Sequence, residues 1–188
     1  MRRAREGGFT VIELMIVVAL LAVLAVFAAP NMREFILNNR IKSQAANFLA
    51  QLNQARAEAM RTGFQVTMCR GSVADGCVAS NSTGSVWEGG WIAFIDEDDD
   101  EQLDDTGNLE EVINISGAEL TGTNTLRSAA FTTFIAFNPD GSTSGPSASP
   151  ASGGFALCDS RGVSKGRAIL VSATGRARVT ELDRKSTR

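Results

Sequence analysis

Residues 5–30 read REGGFTVIELMIVVALLAVLAVFAAP, and this stretch decides the fold. From Phe9 to Ala29 there are 21 residues with a single charge, Glu13. As a helix they would extend about 30 Å, the thickness of a bilayer core. A plain membrane helix does not account for Glu13, because an ionised carboxylate in lipid costs about 2.5 to 3.5 kcal/mol. A secretory signal peptide is an alternative, since Val26, Phe27 and Ala28 offer a small-residue spacing acceptable to a signal peptidase. The run exceeds the roughly 7 to 15 apolar residues usual for such a signal and carries its carboxylate near the start, which counts against that reading.

Ahead of the run, Arg2, Arg3 and Arg5 favour retention of that end in the cytoplasm. Beyond Pro30 the pattern stays helical. Ile41, Ala45, Phe48, Leu52, Ala55 and Ala59 recur at spacings of three and four, and Arg40, Lys42, Gln44, Asn47, Gln51 and Gln54 fill the other faces. This predicts one amphipathic helix packed on a domain, closed by Gly63, with Glu58 and Arg61 as neighbours one turn apart. The whole element, from Phe9 to Thr62, would reach about 80 Å, weakened at Pro30 by the loss of a backbone donor.

After Gly63 the period becomes strand-like at Phe64–Cys69, Trp91–Ile95, Val112–Ile115, Phe131–Phe137, Phe155–Cys158, Ala168–Val171 and Arg178–Thr180. Short runs separated by Gly, Ser, Asn and Asp clusters indicate a mainly antiparallel β domain. Residues 139–154, rich in Gly, Ser and Pro, read as a turn followed by a flexible loop. The predicted fold class is α+β, with four parts: 1–8 a leader, 9–29 a transmembrane or filament-core helix, 30–62 its amphipathic continuation, and 63–188 a β-rich domain with a basic tail.

The chain of 188 residues suits one domain plus an extension, and an apolar share of 44% is ordinary for a folded protein. The net charge of −3 hides segregation. Between Glu88 and Glu119 there are twelve acidic residues and no basic one, whereas from Arg161 onward eight basic residues face two acidic ones. There is no histidine, which removes the commonest general base, Ser-His-Asp and Cys-His pairs, and most zinc sites. With no nucleophile elbow, phosphate loop or dinucleotide fingerprint either, no enzyme and no cofactor are expected.

The leader ending in Gly8, followed by Phe9-Thr10-Val11-Ile12-Glu13-Leu14 and the apolar run to Pro30, resembles the class III signal of type IV pilins and pseudopilins. The later pieces VTMCR, WEGGWIAFIDEDDD, FNPDG, CDSRG and RAILVSATGRARV follow in an order that resembles minor pilins of the FimT/FimU type. The pseudopilin GspH of type II secretion shares that domain. The resemblance covers about residues 7 to 180 and implies a long helix packed on β-sheets in a low-abundance subunit that starts or caps a filament. It implies prepilin peptidase, other major and minor pilins and the inner membrane as partners. It also implies cleavage between Gly8 and Phe9, N-methylation of Phe9, and pairing of Glu13 with the Phe9 amine of a neighbouring subunit. The domain would be periplasmic before assembly and extracellular afterwards. Pairing in a low-dielectric surround is the physical reason the carboxylate can be kept.

Three features of the domain are candidates for sites. Cys69 and Cys77 flank Gly71 and Gly76, so a disulfide between them closes a strand-end loop and contributes somewhat under about 3 kcal/mol. A bridge from Cys158 to either cysteine and three free thiols are the alternatives, and one cysteine of the three stays unpaired or bonds another chain. Asp96, Asp98 and Asp100 alternate as in a calcium loop, but Glu101 occupies the turn glycine position and Gly107 that of the bidentate glutamate. A solvated acidic loop is the preferred reading, with no metal. The tail offers Arg176 and Arg178 on one face of a strand, with Lys165, Arg167, Lys185 and Arg188 as supporting cations. Such a stripe fits double-stranded DNA through phosphate contacts, or else a solvated edge strand guarded against aggregation. The GRAR sequence matches a Gly-Arg-x-Arg motif of FimT-type pilins that bind DNA in natural transformation, which implies DNA contact at Arg176 and Arg178. Glu181 and Asp183 interrupt the stripe, and the alternatives to DNA uptake are a purely structural minor pilin for pilus assembly, adhesion or twitching motility, and a type II secretion pseudopilin.

Overall fold

The computed structural model describes residues 8–74, 76–78, 86–103, 111–117, 120, 123–147 and 149–182, without the side chains of 26–31, 114 and 116. The chain forms two compact units, one up to residue 39 and one from residue 40. Helix α1, Val11–Thr62, contributes to both.

In the first unit α1 begins with a reciprocal cap. The Glu13 amide donates to Thr10 Oγ1 (3.3 Å), and the Glu13 carboxylate accepts from the Thr10 amide (3.2 Å) and hydroxyl (3.3 Å). The T-x-x-E spacing is that of a capping box, which satisfies donors the first helical turn would otherwise leave open. The described apolar side chains of this unit up to Leu24 are exposed: Phe9 is 89% exposed and Leu20 60%. Among the described residues no helix is long and apolar enough to cross a membrane. The expected 9–29 crossing extends into side chains outside the described set.

The second unit is self-contained. Ile41, Ala45, Phe48, Leu52, Ala55 and Ala59 are all buried, forming the predicted stripe. The helix stops where Thr62 Oγ1 donates to the Glu58 carbonyl (2.9 Å) and Gly63, at φ +80°, donates to the Ala59 carbonyl (3.0 Å). Arg61 clasps Glu58 in the last turn and holds that carboxyl below its ordinary range.

Among the described residues ten strands follow: β1 Gln65–Ser72, β2 Gly76–Cys77, β3 Trp91–Asp96, β4 Val112–Gly117, β5 Thr125–Ser128, β6 Phe134–Phe137, β7 Thr143–Ser144, β8 Gly153–Cys158, β9 Arg167–Val171 and β10 Ala177–Glu181. They form two antiparallel sheets, one ordered β4-β3-β1-β6-β7 with β2 on β1, the other β10-β9-β8-β5. The loop expected at 139–154 contains β7, paired with β6. Phe131, expected in a strand, precedes β6 and is buried.

Both sheets bury their inner faces in one core with the helix stripe. Phe48 is its hub, with ring centroids 4.9 Å from Trp91 and 4.8 Å from Phe155, both edge-to-face. The indole donors are satisfied: Trp87 Nε1 reaches the Phe131 carbonyl (2.8 Å) and Trp91 Nε1 reaches Gln51 (2.8 Å). The α+β class is therefore realised as a helix packed on two antiparallel sheets.

Candidate functional site

The basic face is built on the β9-β10 hairpin. Residues 172–176 close it: Gly175 N donates to the Ser172 carbonyl (2.8 Å) and Ser172 N to the Arg176 carbonyl (3.0 Å). Gly175 stands at φ +74°, and a Cβ there would lie 2.1 Å from the Gly141 carbonyl oxygen and 2.5 Å from Arg56 Nε. Only glycine meets both demands, so the first residue of GRAR is structural. Arg56 Nε in turn donates to the Gly141 carbonyl (2.9 Å), tying the helix to the Asn138–Gly141 turn beneath the hairpin.

Cross-strand register fixes where the arginines look. Arg178 pairs with Leu170, which pairs with Gly154; on the adjacent row Ala168 pairs with Ala156, which pairs with Arg127. These residues, with Arg176, line an open groove of about 880 Å³ on the outer face of the β10-β9-β8-β5 sheet. Arg176 and Arg178 are exposed on one side. Arg127, which stands between Leu126 and Ser128 in a four-residue strand, lines the other. Its sequence signal was an exposed residue flanked by buried ones, visible only once Thr125–Ser128 is known to be a strand.

The other expected cations do not join this row. Arg167 alternates to the opposite face of β9 and its guanidinium meets Glu181 at 2.9 Å. The acid that interrupts the stripe in sequence is thereby turned away from Arg176 and Arg178. Lys165 is exposed on a single 3-10 turn before β9. Arg161 is consumed by the buried Asp159, contacting it through Nε at 3.0 Å and Nη2 at 2.6 Å. That guanidinium holds the Asp159 carboxyl below the ordinary range. Lys185 and Arg188, as well as Asp183, lie outside the described residues. Among the described residues, Arg176 and Arg178 have no ion-pair partner.

The acidic loop after β3 carries the opposite charge. Asp96 is fully buried and organises the loop: one oxygen accepts from the Thr67 hydroxyl (2.6 Å), Gln65 (3.2 Å) and the Glu101 amide (3.1 Å), the other from the Asp100 amide (3.1 Å). Asp99 and Glu101 are held at φ +60° and +62°. Partial burial, then the neighbouring carboxylates, push both their carboxyls up. Carboxylate oxygens of Asp96, Asp98 and Asp100 come within 4.8 Å of one another. The Asp96 oxygens are already taken by the protein's own donors, which fits a self-organised loop.

Cys69 and Cys77 form a disulfide with Cα atoms 5.5 Å apart, joining β1 to β2. Cys158, half-buried on β8, is a free thiol whose pKa burial pushes up. At the other end of the chain Gly8 and Phe9 are exposed, and Glu13 is engaged by Thr10. The cap was written in the sequence as T-x-x-E ahead of an apolar run.

The model of the family described as Type II transport protein GspH matches residues 44–175, and that of the prokaryotic N-terminal methylation motif matches residues 3–29. A type IV major fimbrial protein, FimA of Dichelobacter nodosus, is 35% identical over 75 residues, covering 40% of this chain and 41% of that one. The match thus spans about two fifths of that relative's length. The type IV minor pilin FimU of Pseudomonas aeruginosa superimposes with a TM-score of 0.56 at 18% identity, over 78% of this chain and 92% of that one. A second crystal form of FimU gives 0.52 at 17% identity, over 74% and 91% of the two chains. At that identity the likeness is one of fold.

Proposed function

Because this chain belongs to the Type II transport protein GspH family and carries the N-terminal methylation motif, we propose that it is a minor pilin of a type IV pilus whose basic face binds extracellular DNA for uptake. It is stored in the inner membrane by residues 9–29 as a single span, with the leader cytoplasmic and the domain periplasmic. Prepilin peptidase cuts between Gly8 and Phe9, and the new Phe9 amine is methylated. Glu13 then exchanges its Thr10 cap for the Phe9 amine of a neighbouring pilin as the subunit enters a tip or initiation complex. The role is assembly and binding, with no covalent chemistry by this chain.

The observation that carries the DNA reading is the pair Arg176 and Arg178 opening on one groove while Glu181 is turned to the opposite face. Two guanidinium forks side by side suit phosphate oxygens and carry no base-edge code of their own. Full-length protein in detergent should bind duplex DNA with an affinity that falls steeply with salt. Arg176→Gln with Arg178→Gln should lower the slope of log K against log salt by about 1.8. Binding that is absent at low salt, or unmoved by both substitutions, removes the DNA reading.

A second reading rests on the family description itself. The GspH match favours a pseudopilin that drives protein secretion. Loss of secretion with transformation intact, on deletion of the gene, would select it; the reverse phenotype selects DNA uptake.

A further inference from the structure

We propose that the groove on the outer face of the β10-β9-β8-β5 sheet seats one sugar-phosphate strand, with Arg127 as a third phosphate contact on the wall facing Arg176 and Arg178. The proposal deepens the DNA reading above and rests on it. Its starting point is the shape and chemistry of the groove. Arg127 stands on one edge strand and Arg178 on the other, with β8 and β9 between them, which sets their backbones about 14 Å apart. Between these walls the floor is low and apolar: Gly154, Ala156 and Ala168 follow the cross-strand rows from β8 to β9, with the larger Leu170 beside them next to Arg178. A depression with an apolar floor and cations on both sides fits an occupant that is anionic at its edges and apolar in its body.

A sugar-phosphate strand has that character, with phosphates for the forks and sugar carbons for the floor. An acidic peptide fits less well. A peptide docks by adding to a sheet edge, and on this face the backbone donors and acceptors of β8 and β9 are spent on neighbouring strands. The described floor residues also offer no exposed aromatic ring on which bases could stack, so the groove reads backbone and not sequence. Glu88 is the built-in opponent. Its carboxylate meets Arg127 Nη2 at 3.2 Å and also accepts the Leu126 amide, holding Arg127 at the rim while offsetting its charge.

The test is duplex binding by full-length protein in detergent, followed by fluorescence anisotropy across a salt series, with the thermal midpoint of each variant recorded. Arg127→Gln should weaken binding about fivefold at low salt and lower the salt slope by about 0.9. Glu88→Gln, which keeps the acceptor for Leu126, should strengthen binding by about threefold through loss of an opposing charge. Ala156→Leu fills the floor without changing charge and should weaken binding about fivefold while leaving the salt slope within about 0.3 of the parent. If Arg127→Gln fails to fold, the other two variants carry the decision. Wild-type binding by Arg127→Gln, Glu88→Gln and Ala156→Leu, alongside loss in the Arg176→Gln and Arg178→Gln protein, overturns the groove and leaves the DNA reading standing. No binding by the parent protein defeats both. Displacement of DNA by poly-glutamate at equal charge concentration, lost in Arg127→Gln, would make an acidic polypeptide the occupant and overturn the proposal.

Discussion

Helix α1 contains two halves with opposite fates. In the second unit its apolar stripe from Ile41 to Ala59 is buried against two sheets. In the first unit its apolar side chains from Val11 to Leu24 are exposed, with Val17 still 52% accessible. The same element is therefore finished by the chain in one region and unfinished in the other. Burial is worth roughly 25 cal/mol per Å² of apolar surface, so the second half contributes to the stability of its domain now. On the proposed function, the exposed first half keeps that driving force for lipid or for neighbouring pilin helices.

Substitutions in the two halves should break this comparison if it is wrong. The largest effect is expected at the hub: Phe48→Ala removes a ring packed against Trp91 and Phe155 and should cost about 3 to 5 kcal/mol in urea unfolding. Leu20→Ala, an identical kind of truncation in the exposed half, should leave the unfolding of the domain unchanged within about 0.5 kcal/mol. Gly175→Ala comes next, at about 2 kcal/mol, because φ +74° and the nearby Gly141 carbonyl oppose a side chain; DNA affinity should fall with it, since the turn aims Arg176.

Asp159→Asn sharpens the electrostatic side. Its native pKa is lowered, so the Arg161 pair stabilises the domain above the unfolded value of 3.8 and loses that contribution as pH falls through the lower native value. The variant should be about 2 kcal/mol less stable at pH 7. The difference from the parent should close progressively below 3.8, measured by urea unfolding across pH. The smallest effect belongs to the first unit: Thr10→Ala removes the cap and should cost about 1 kcal/mol locally. Faster hydrogen exchange in the first turn of α1, with no change in domain unfolding, is the expected signature.

What could be read from the sequence follows the same division. The stripe Ile41, Ala45, Phe48, Leu52, Ala55 and Ala59 was legible because helical period and burial coincide. The long central strands β1, β3 and β9 were legible as apolar runs between turn residues. β2, β5 and β7 were not, being two to four residues long with little apolar content. Arg176 and Arg178 announced a shared face through period-two spacing, but the groove did not announce itself, because its far wall stands on the overlooked β5. Arg167 lies close to them in sequence but faces the other way, because Glu181 is its cross-strand partner, a pairing that proximity in sequence does not reveal. The T-x-x-E cap is legible from spacing alone, Thr10 and Glu13 standing three apart at the start of the apolar run.

The unfinished half of α1 is the centre of this account, and its processing state tests it most directly. Mass spectrometry of the protein taken from its native membrane should show a chain that begins at Phe9 and carries a methylated amine. A chain that begins at Ala29, cut after Ala28, would mean that the apolar run is discarded as a secretory signal and would contradict the account.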